Sequence, residues 1–166
     1  DGMLSLVEGT IDTWPNLLGF SGGKTYLILF QNNMELRPGG GFIGSYGILP
    51  VKNGSMEPLQ INDVYDADGK LNEHVEPPYG LRRYFGAAHW FLRDSNFDPD
   101  FTQNAAQAQF FLQKETGQKV YGVVAIDTSF LKNLIAVVGY VDVPDYRERV
   151  TPDNFYLLTQ VHAEKN

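Results

Sequence analysis

The run Thr25-Tyr-Leu-Ile-Leu-Phe30 constrains the chain more than any other segment. It is a dense β-branched and aromatic stretch without a charge, a glycine or a proline, which reads as a buried strand. A polar cluster follows at once, Gln31-Asn-Asn-Met-Glu35-Leu-Arg37-Pro38, and then Gly39-Gly40-Gly41. A second apolar run, Phe42 to Val51, reads as another strand, and Asn53-Gly54 is a strong hairpin signal. Met56 to Val64 reads as a third strand. Strands over 25–31, 42–51 and 56–64 make an antiparallel meander. Asp66-Ala-Asp-Gly69 reads as a turn, and Glu76-Pro-Pro78 keeps the chain extended.

Helical spacing dominates what surrounds this meander. Leu4, Val7, Ile11 and Trp14 form a stripe within a leading helix that Pro15 and Gly19 end, so residues 1–19 lead into the domain. A ragged helix is expected from Gly80 to Leu92, and a clearer one from Phe101 to Glu115, ended by Gly117. Val120 to Ile126 reads as a strand. Thr128 to Val138 reads as a helix capped by Asp127 or Thr128 and closed by Gly139. Tyr140 to Val143 is a short strand, and Thr151-Pro152 opens a last helix. The order predicts an α/β fold: a single domain over 1–166 with a central mixed β-sheet packed with helices.

Length supports one domain, since 166 residues can bury a sizeable core without staples. The chain has no cysteine, which excludes a disulfide scaffold, a thiolate metal site and a cysteine nucleophile. A net charge of -7 argues against nucleic acid as the main partner. No apolar stretch is long enough to span a membrane: Tyr121 to Val143 is interrupted by Asp127, Lys132 and Asn133. Both ends lie inside amphipathic patterns, so the chain reads as a domain excised from a longer protein.

Several motifs fail on their context. Gly39-Gly-Gly-Phe-Ile-Gly44 matches G-x-G-x-x-G, but a strand follows it where the dinucleotide fingerprint needs a helix. Its stacked glycines could still bring backbone N–H groups close to an anion. Gly22-Gly-Lys-Thr25 imitates a P-loop, yet Leu18 stands where that motif needs glycine. Asp94-Ser-Asn96-Phe-Asp98-Pro-Asp100 spaces oxygens like an EF-hand, with Pro99 and Ala105 where glycine and glutamate belong. Two readings of it stand: a solvated loop with Asx turns and a helix cap, or a divalent-cation or substrate site, with Asp94, Asn96, Asp98 and Asp100 as the metal candidates. No histidine pair has metal-ligand spacing, and no serine sits in a nucleophile elbow.

The polar cluster is the most informative stretch. If extended, Asn33, Glu35 and Arg37 point to one side. An arginine at a strand end beside a glycine turn suits a phosphate or carboxylate. Arg37, Arg82, Arg83 and Arg93, four of six arginines, flank loops in the first hundred residues. The candidate ligand-binding set is therefore Asn33, Gly39, Gly40, Gly41, Arg82 and Arg93, beside Arg37.

The stretch from Tyr26 through Gln-Asn-Asn-Met-Glu-Leu-Arg-Pro-Gly-Gly-Gly-Phe-Ile-Gly to Tyr46 resembles the signature of the DUF4012 family. So do Leu92-Arg-Asp-Ser-Asn-Phe-Asp-Pro-Asp-Phe101, Gly122-Val-Val-Ala-Ile-Asp127 and Thr151-Pro-Asp-Asn154, in order and over nearly the whole chain. That resemblance implies a bacterial protein of unknown function. It implies a domain outside the cytoplasm, membrane-tethered through an N-terminal helix missing from this sequence. The family is in turn distantly similar to LytR-CpsA-Psr phosphotransferases, which move glycopolymers from polyprenyl-pyrophosphate carriers using arginines and Mg²⁺. Carried over, Arg37 is the pyrophosphate arginine and Asp63 stands near the acidic position after the third strand. The chain departs from that pattern in lacking a Pro-Arg-Asp triplet there, with Asn62-Asp63 in its place. A later arginine pair is also missing unless Arg147 and Arg149 replace it.

Two functions are expected. One is a non-catalytic envelope module that binds glycan or protein, with Tyr65, Tyr79, Trp90 and Tyr146 as aromatic candidates. The other is an Mg²⁺-dependent transferase acting on a polyprenyl-pyrophosphate lipid. There Arg37 and Arg93 would neutralise phosphates, Asp94 or Asp98 would hold the metal, and Glu35 would accept the acceptor's proton. The incomplete catalytic set puts binding ahead.

Overall fold

A computed structural model describes residues 13–163. Most of the leading stripe (Leu4, Val7 and Ile11) lies outside these residues. Residues 13–17 are helical through Pro15, and Gly19, at a φ of 72°, turns the chain after them.

The strand expected at 25–31 is observed as β1 (Lys24–Asn32) and lies inside a five-stranded sheet. Antiparallel β2 (Phe42–Lys52) flanks it on one side, with Leu27 opposite Ile48 and Leu29 opposite Tyr46. The third strand is split: β3 (Ser55–Met56) and β4 (Gln60–Asp63) both pair with β2. Pro58 lies between them and has no N–H to give the ladder. The turn expected at Asp66–Gly69 is instead a short helix, α1 (Val64–Asp68), because the Asp63 side chain accepts from Tyr65 N and caps it.

The ragged helix is also shorter than expected. It is α2 (Tyr79–Phe85), stopped by Gly86 in the left-handed conformation at φ 66°. A 3-10 turn, Leu92–Asp94, follows. Helix α3 (Phe101–Thr116) buries Asn104, Ala108, Phe111, Leu112 and Glu115, one stripe at helical spacing. β5 (Gly122–Asp127) then joins the free edge of β1 in parallel, with Leu27 opposite Val123 and Leu29 opposite Ala125. Helix α4 (Thr128–Val138) starts where Asp127 accepts from Phe130 N and ends before Gly139, as its cap and stop residues require.

Two short strands close the chain as a separate ribbon, β6 (Val141–Val143) with β7 (Glu148–Val150), the second of which the sequence pattern does not show. The last helix, α5 (Phe155–Ala163), begins later than Thr151-Pro152 suggested. Thr151 N donates to Asn154 Oδ1, so residues 151–154 form a turn before it. Among the described residues, no helix is long and apolar enough to cross a membrane.

One face of the sheet carries the main core. Leu27, Leu29, Tyr46 and Ile48 pack under Val64, Ala67, Leu92, Ala108, Phe111 and Leu112 from α1, the 3-10 turn and α3. The alternation of a strand puts these inward positions on one face. The opposite face is more thinly covered by α4, which leaves Phe130, Leu134, Val137 and Val138 exposed.

Candidate functional site

The 3-10 turn brings charge to the edge of this core. Leu92 is fully buried and anchors the turn. Its N–H donates to Glu115 Oε1 at 3.0 Å. The next residue, Arg93, donates through Nη1 to Asp68 Oδ2 at 2.8 Å, and its Nε lies 3.5 Å from Asp94 Oδ2. Asp94 Oδ1 in turn accepts from Arg37 Nε at 3.1 Å. A chain of charged groups thus runs Glu115, Asp68, Arg93, Asp94, Arg37. Its carboxylates come from α1, the 3-10 turn and α3, its arginines from the loop after β1 and the same 3-10 turn.

Burial shapes the titration of this chain. Asp68 and Glu115 are only 5% and 4% exposed. Burial pushes the Glu115 carboxyl up to about 8, and the Asp68 charge beside it adds to the rise. Asp68 is raised to about 6, mainly by burial, with Arg93 pulling the other way. Tyr46 is raised by burial and then by Glu115, Asp66 and Asp68. At neutral pH Glu115 is therefore largely protonated, and the two arginines balance Asp68 and Asp94.

Aromatic rings cover the flat faces of both guanidinium groups. Arg37 Cζ lies 4.7 Å from the Phe85 ring centroid and 5.2 Å from that of Phe42. Phe42 and Tyr65 centroids are 6.3 Å apart. Arg93 Cζ lies 5.3 Å from Tyr65 and 4.6 Å from Phe91. Phe97 extends one end of this series through an edge contact to Phe85, and His89 extends the other from Phe91. The result is a ladder of alternating rings and arginines, held in register by the carboxylates beneath. Ring faces carry negative potential and attract cations, by about 0.5–1 kcal/mol per exposed contact. Tyr65 is 58% exposed and Phe85 is 50% exposed, so the ladder presents ring surface to water.

The structure gathers Arg37, Arg93 and Asp94, sets Gly39 and Gly41 against Asn96, and separates the other sequence candidates. Asn33, Glu35 and Arg37 do not share a side, because Glu35 N donates to Asn32 O and turns the chain. Asn33 reaches Asp127 and Ser129 at the start of α4. Glu35 is exposed and accepts from Asn32 Nδ2. Asp63 caps α1. Arg82 pairs with Glu76, which also meets His74. Asn96 Nδ2 donates to Gly41 O, Asp98 Oδ1 accepts from Asp100 N, and Asp100 Oδ1 accepts from Thr102 N to cap α3. Asp94, Asp98 and Asp100 therefore each have a partner within the protein, whereas Ser95 Oγ and Asn96 Oδ1 are buried without one. Among the described residues, no group of three or more histidines or carboxylates could hold a metal ion.

The glycine turn also works within the protein. Gly39 N donates to Asn96 O and Gly40 N to Arg37 O, so these two N–H groups face protein oxygens rather than an anion. Gly41 takes a φ of 137°. A Cβ at Gly39 would collide with Asn104 Nδ2 and Asn96 O, both on buried residues. Gly39→Ala is expected to cost about 1–3 kcal/mol by overpacking, read as a lower denaturation midpoint at unchanged slope.

Sequence reasoning missed Asp68, Glu115, Phe42, Phe85 and Phe91. Glu115 carried a signal: it continues the inward stripe of Ala108, Phe111 and Leu112. Of the four aromatic candidates, Tyr65, Tyr79 and Tyr146 are exposed, whereas Trp90 packs on Phe111 and donates to Asp94 O.

A family model described as a protein of unknown function (DUF4012) matches residues 21–163. No curated protein and no solved structure matches the chain.

Proposed function

The chain belongs to the DUF4012 family, and from that premise we propose that it is a cell-envelope module that binds glycan across its arginine–aromatic ladder. The carrying observation is the alternation itself, Phe85, Arg37, Phe42, Tyr65, Arg93 and Phe91, with Tyr65 and Phe85 open to solvent. Sugar rings present polarised C–H faces, which stack on the electron-rich faces of aromatic rings. Hydroxyl groups at their edges take hydrogen bonds from guanidinium donors and give them to carboxylates. In this reading the domain works outside the cytoplasm and is tethered to the membrane, which the family resemblance supports.

The alternative, a transferase acting on a polyprenyl pyrophosphate, draws less support. Arg37 would have to give its donors to phosphate. Its Nε already faces Asp94, its Nη1 faces Leu36 O, and two rings flank its plane.

Glycan-array screening, followed by calorimetry on the best hit, tests the proposal. Peptidoglycan fragments and wall polymers are the informative probes. Tyr65→Ala and Phe85→Ala are each expected to weaken binding roughly twofold to tenfold, in line with aromatic contacts of about 0.5–1.5 kcal/mol. Absence of binding to any glycan sinks the reading. A shift in melting temperature with alkyl pyrophosphate and Mg²⁺ that is lost in Arg37→Ala would favour the transferase instead.

A further inference from the structure

We propose that Asp68 and Glu115 share a single proton, and that this proton latches the 3-10 turn that holds the arginine–aromatic ladder in place. The gating of ligand binding rests on the glycan-binding reading above; the shared proton does not.

Hydrogen-bond geometry carries the inference. Both residues are buried, and each has one oxygen accounted for: Asp68 Oδ2 by Arg93 Nη1, Glu115 Oε1 by Leu92 N. Their other oxygens, Asp68 Oδ1 and Glu115 Oε2, are buried without a protein donor. The two acids hold consecutive residues of one turn, Glu115 through Leu92 N and Asp68 through Arg93 Nη1, and the Asp68 charge raises the Glu115 carboxyl. Ionised carboxylates only accept, so a hydrogen bond between two of them requires a proton on one. Two orphaned buried acceptors on acids that hold adjacent residues have one economical solution: an O–H on one acid pointing at the other.

The surrounding charges agree. Arg93 is the cation bonded to the pair, and it also serves Asp94, which Arg37 pairs from the far side. The Tyr46 hydroxyl on β2 lies within reach of both acids and of Asp66 on α1, whose charges raise it. With one proton the pair carries a single negative charge, which Arg93 can match. Without it, two adjacent buried carboxylates face one shared arginine. Repulsion between like charges in a water-poor site then pushes α1 and α3 apart at this point. Both acids hold the 3-10 turn carrying Arg93, the central rung between Tyr65 and Phe91.

The sign of the pH effect is unusual for an acidic protein. The native state keeps a proton that the unfolded chain releases above the ordinary carboxylate range near about 4. Stability from this pair is therefore fully present in acid. It falls as pH rises from that range toward about 8, where Glu115 loses its proton in the folded protein. A ladder latched at neutral pH is expected to loosen in alkali.

Carbon-detected carboxyl NMR on the unaltered chain tests the proton directly. A side-chain carboxyl titrating above about pH 6.5, absent from Glu115→Gln, is expected. Both acids titrating below about pH 5 would overturn the proposal. In Glu115→Gln the amide supplies a permanent donor to Asp68, so the decline in melting temperature between about pH 5 and 9 should flatten. Asp68→Asn serves the same purpose if that variant fails to fold. Glycan affinity of the native chain should drop at least about threefold between about pH 6.5 and 9, and should not drop in Glu115→Gln. A high-titrating carboxyl with pH-independent affinity overturns the gating. If no glycan binds at all, the function above has failed, and the Arg93 Nε–H resonance still reports the latch: a shift tracking the carboxyl titration supports it, a static one overturns it.

Discussion

Arg93→Ala is expected to destabilise the fold by about 3–5 kcal/mol, the range for removing one partner of a buried ion pair. Asp68 is almost fully buried and receives a side-chain donor from Arg93. Truncation leaves that carboxylate beside Glu115 and removes a neighbour of Asp94 as well. Arg93 itself is 27% exposed, so water entering the gap screens part of the loss and favours the lower end of the range. Arg93→Lys keeps a charge but cannot bridge Asp68 and Asp94 with a planar fork, and should recover only part of the stability. Denaturant unfolding of the three proteins at neutral pH measures this. A loss below about 1 kcal/mol would mean that Asp68 simply takes up a proton when Arg93 leaves.

Phe111→Ala should cost a similar amount, about 3–5 kcal/mol, for a different reason. Phe111 is fully buried on the inward stripe of α3, and its ring meets Trp90 at 5.3 Å and Phe110 at 5.2 Å between centroids. Deleting it opens a void between α3 and the sheet, which rigid strands cannot collapse to fill. Phe111→Leu refills most of that volume and should lose far less. Equal losses for both variants in calorimetric or denaturant unfolding would show that ring-specific contacts, not volume, decide the position.

The pattern of hits and misses in the sequence follows the range of each signal. The span of α4 is readable at both ends, because Asp127 and Gly139 act on the backbone within one turn. β1 and β2 are readable because side-chain alternation is a local property. Single residues with local overrides cause the misses: Pro58 splits a strand, Asp63 starts a helix inside an apparent turn, and Gly86 stops α2 early. No periodicity announces that β5 will pair in parallel with β1.

The site is legible to the same depth. Arg37 and Arg93 stand out because both flank loops in an acidic chain, and the structure joins them through Asp94. Glu35 and Asn33 share their stretch of sequence, yet a turn after Asn32 sends them elsewhere. Asp68 and Glu115 escape notice because acidic residues on helices ordinarily face water. Only the packing of α1 against α3 places both inside.

The parallel pairing of β5 with β1 also sets when the domain can finish folding. β1 ends at Asn32, but the strand that closes its second edge begins only at Gly122. Closing so long a loop adds little to the equilibrium cost, since each doubling of length adds only about 0.6 kcal/mol. Its effect is kinetic. During synthesis the β1–β2 hairpin can form early, while the other edge of β1, with Leu27 and Leu29 alongside, waits for residues not yet made. An unpaired apolar strand edge is a template for other chains. Completion of β5 is therefore the step that ends the chain's exposure to aggregation, and variants that weaken β5 should lower the yield of soluble protein before they lower its melting temperature.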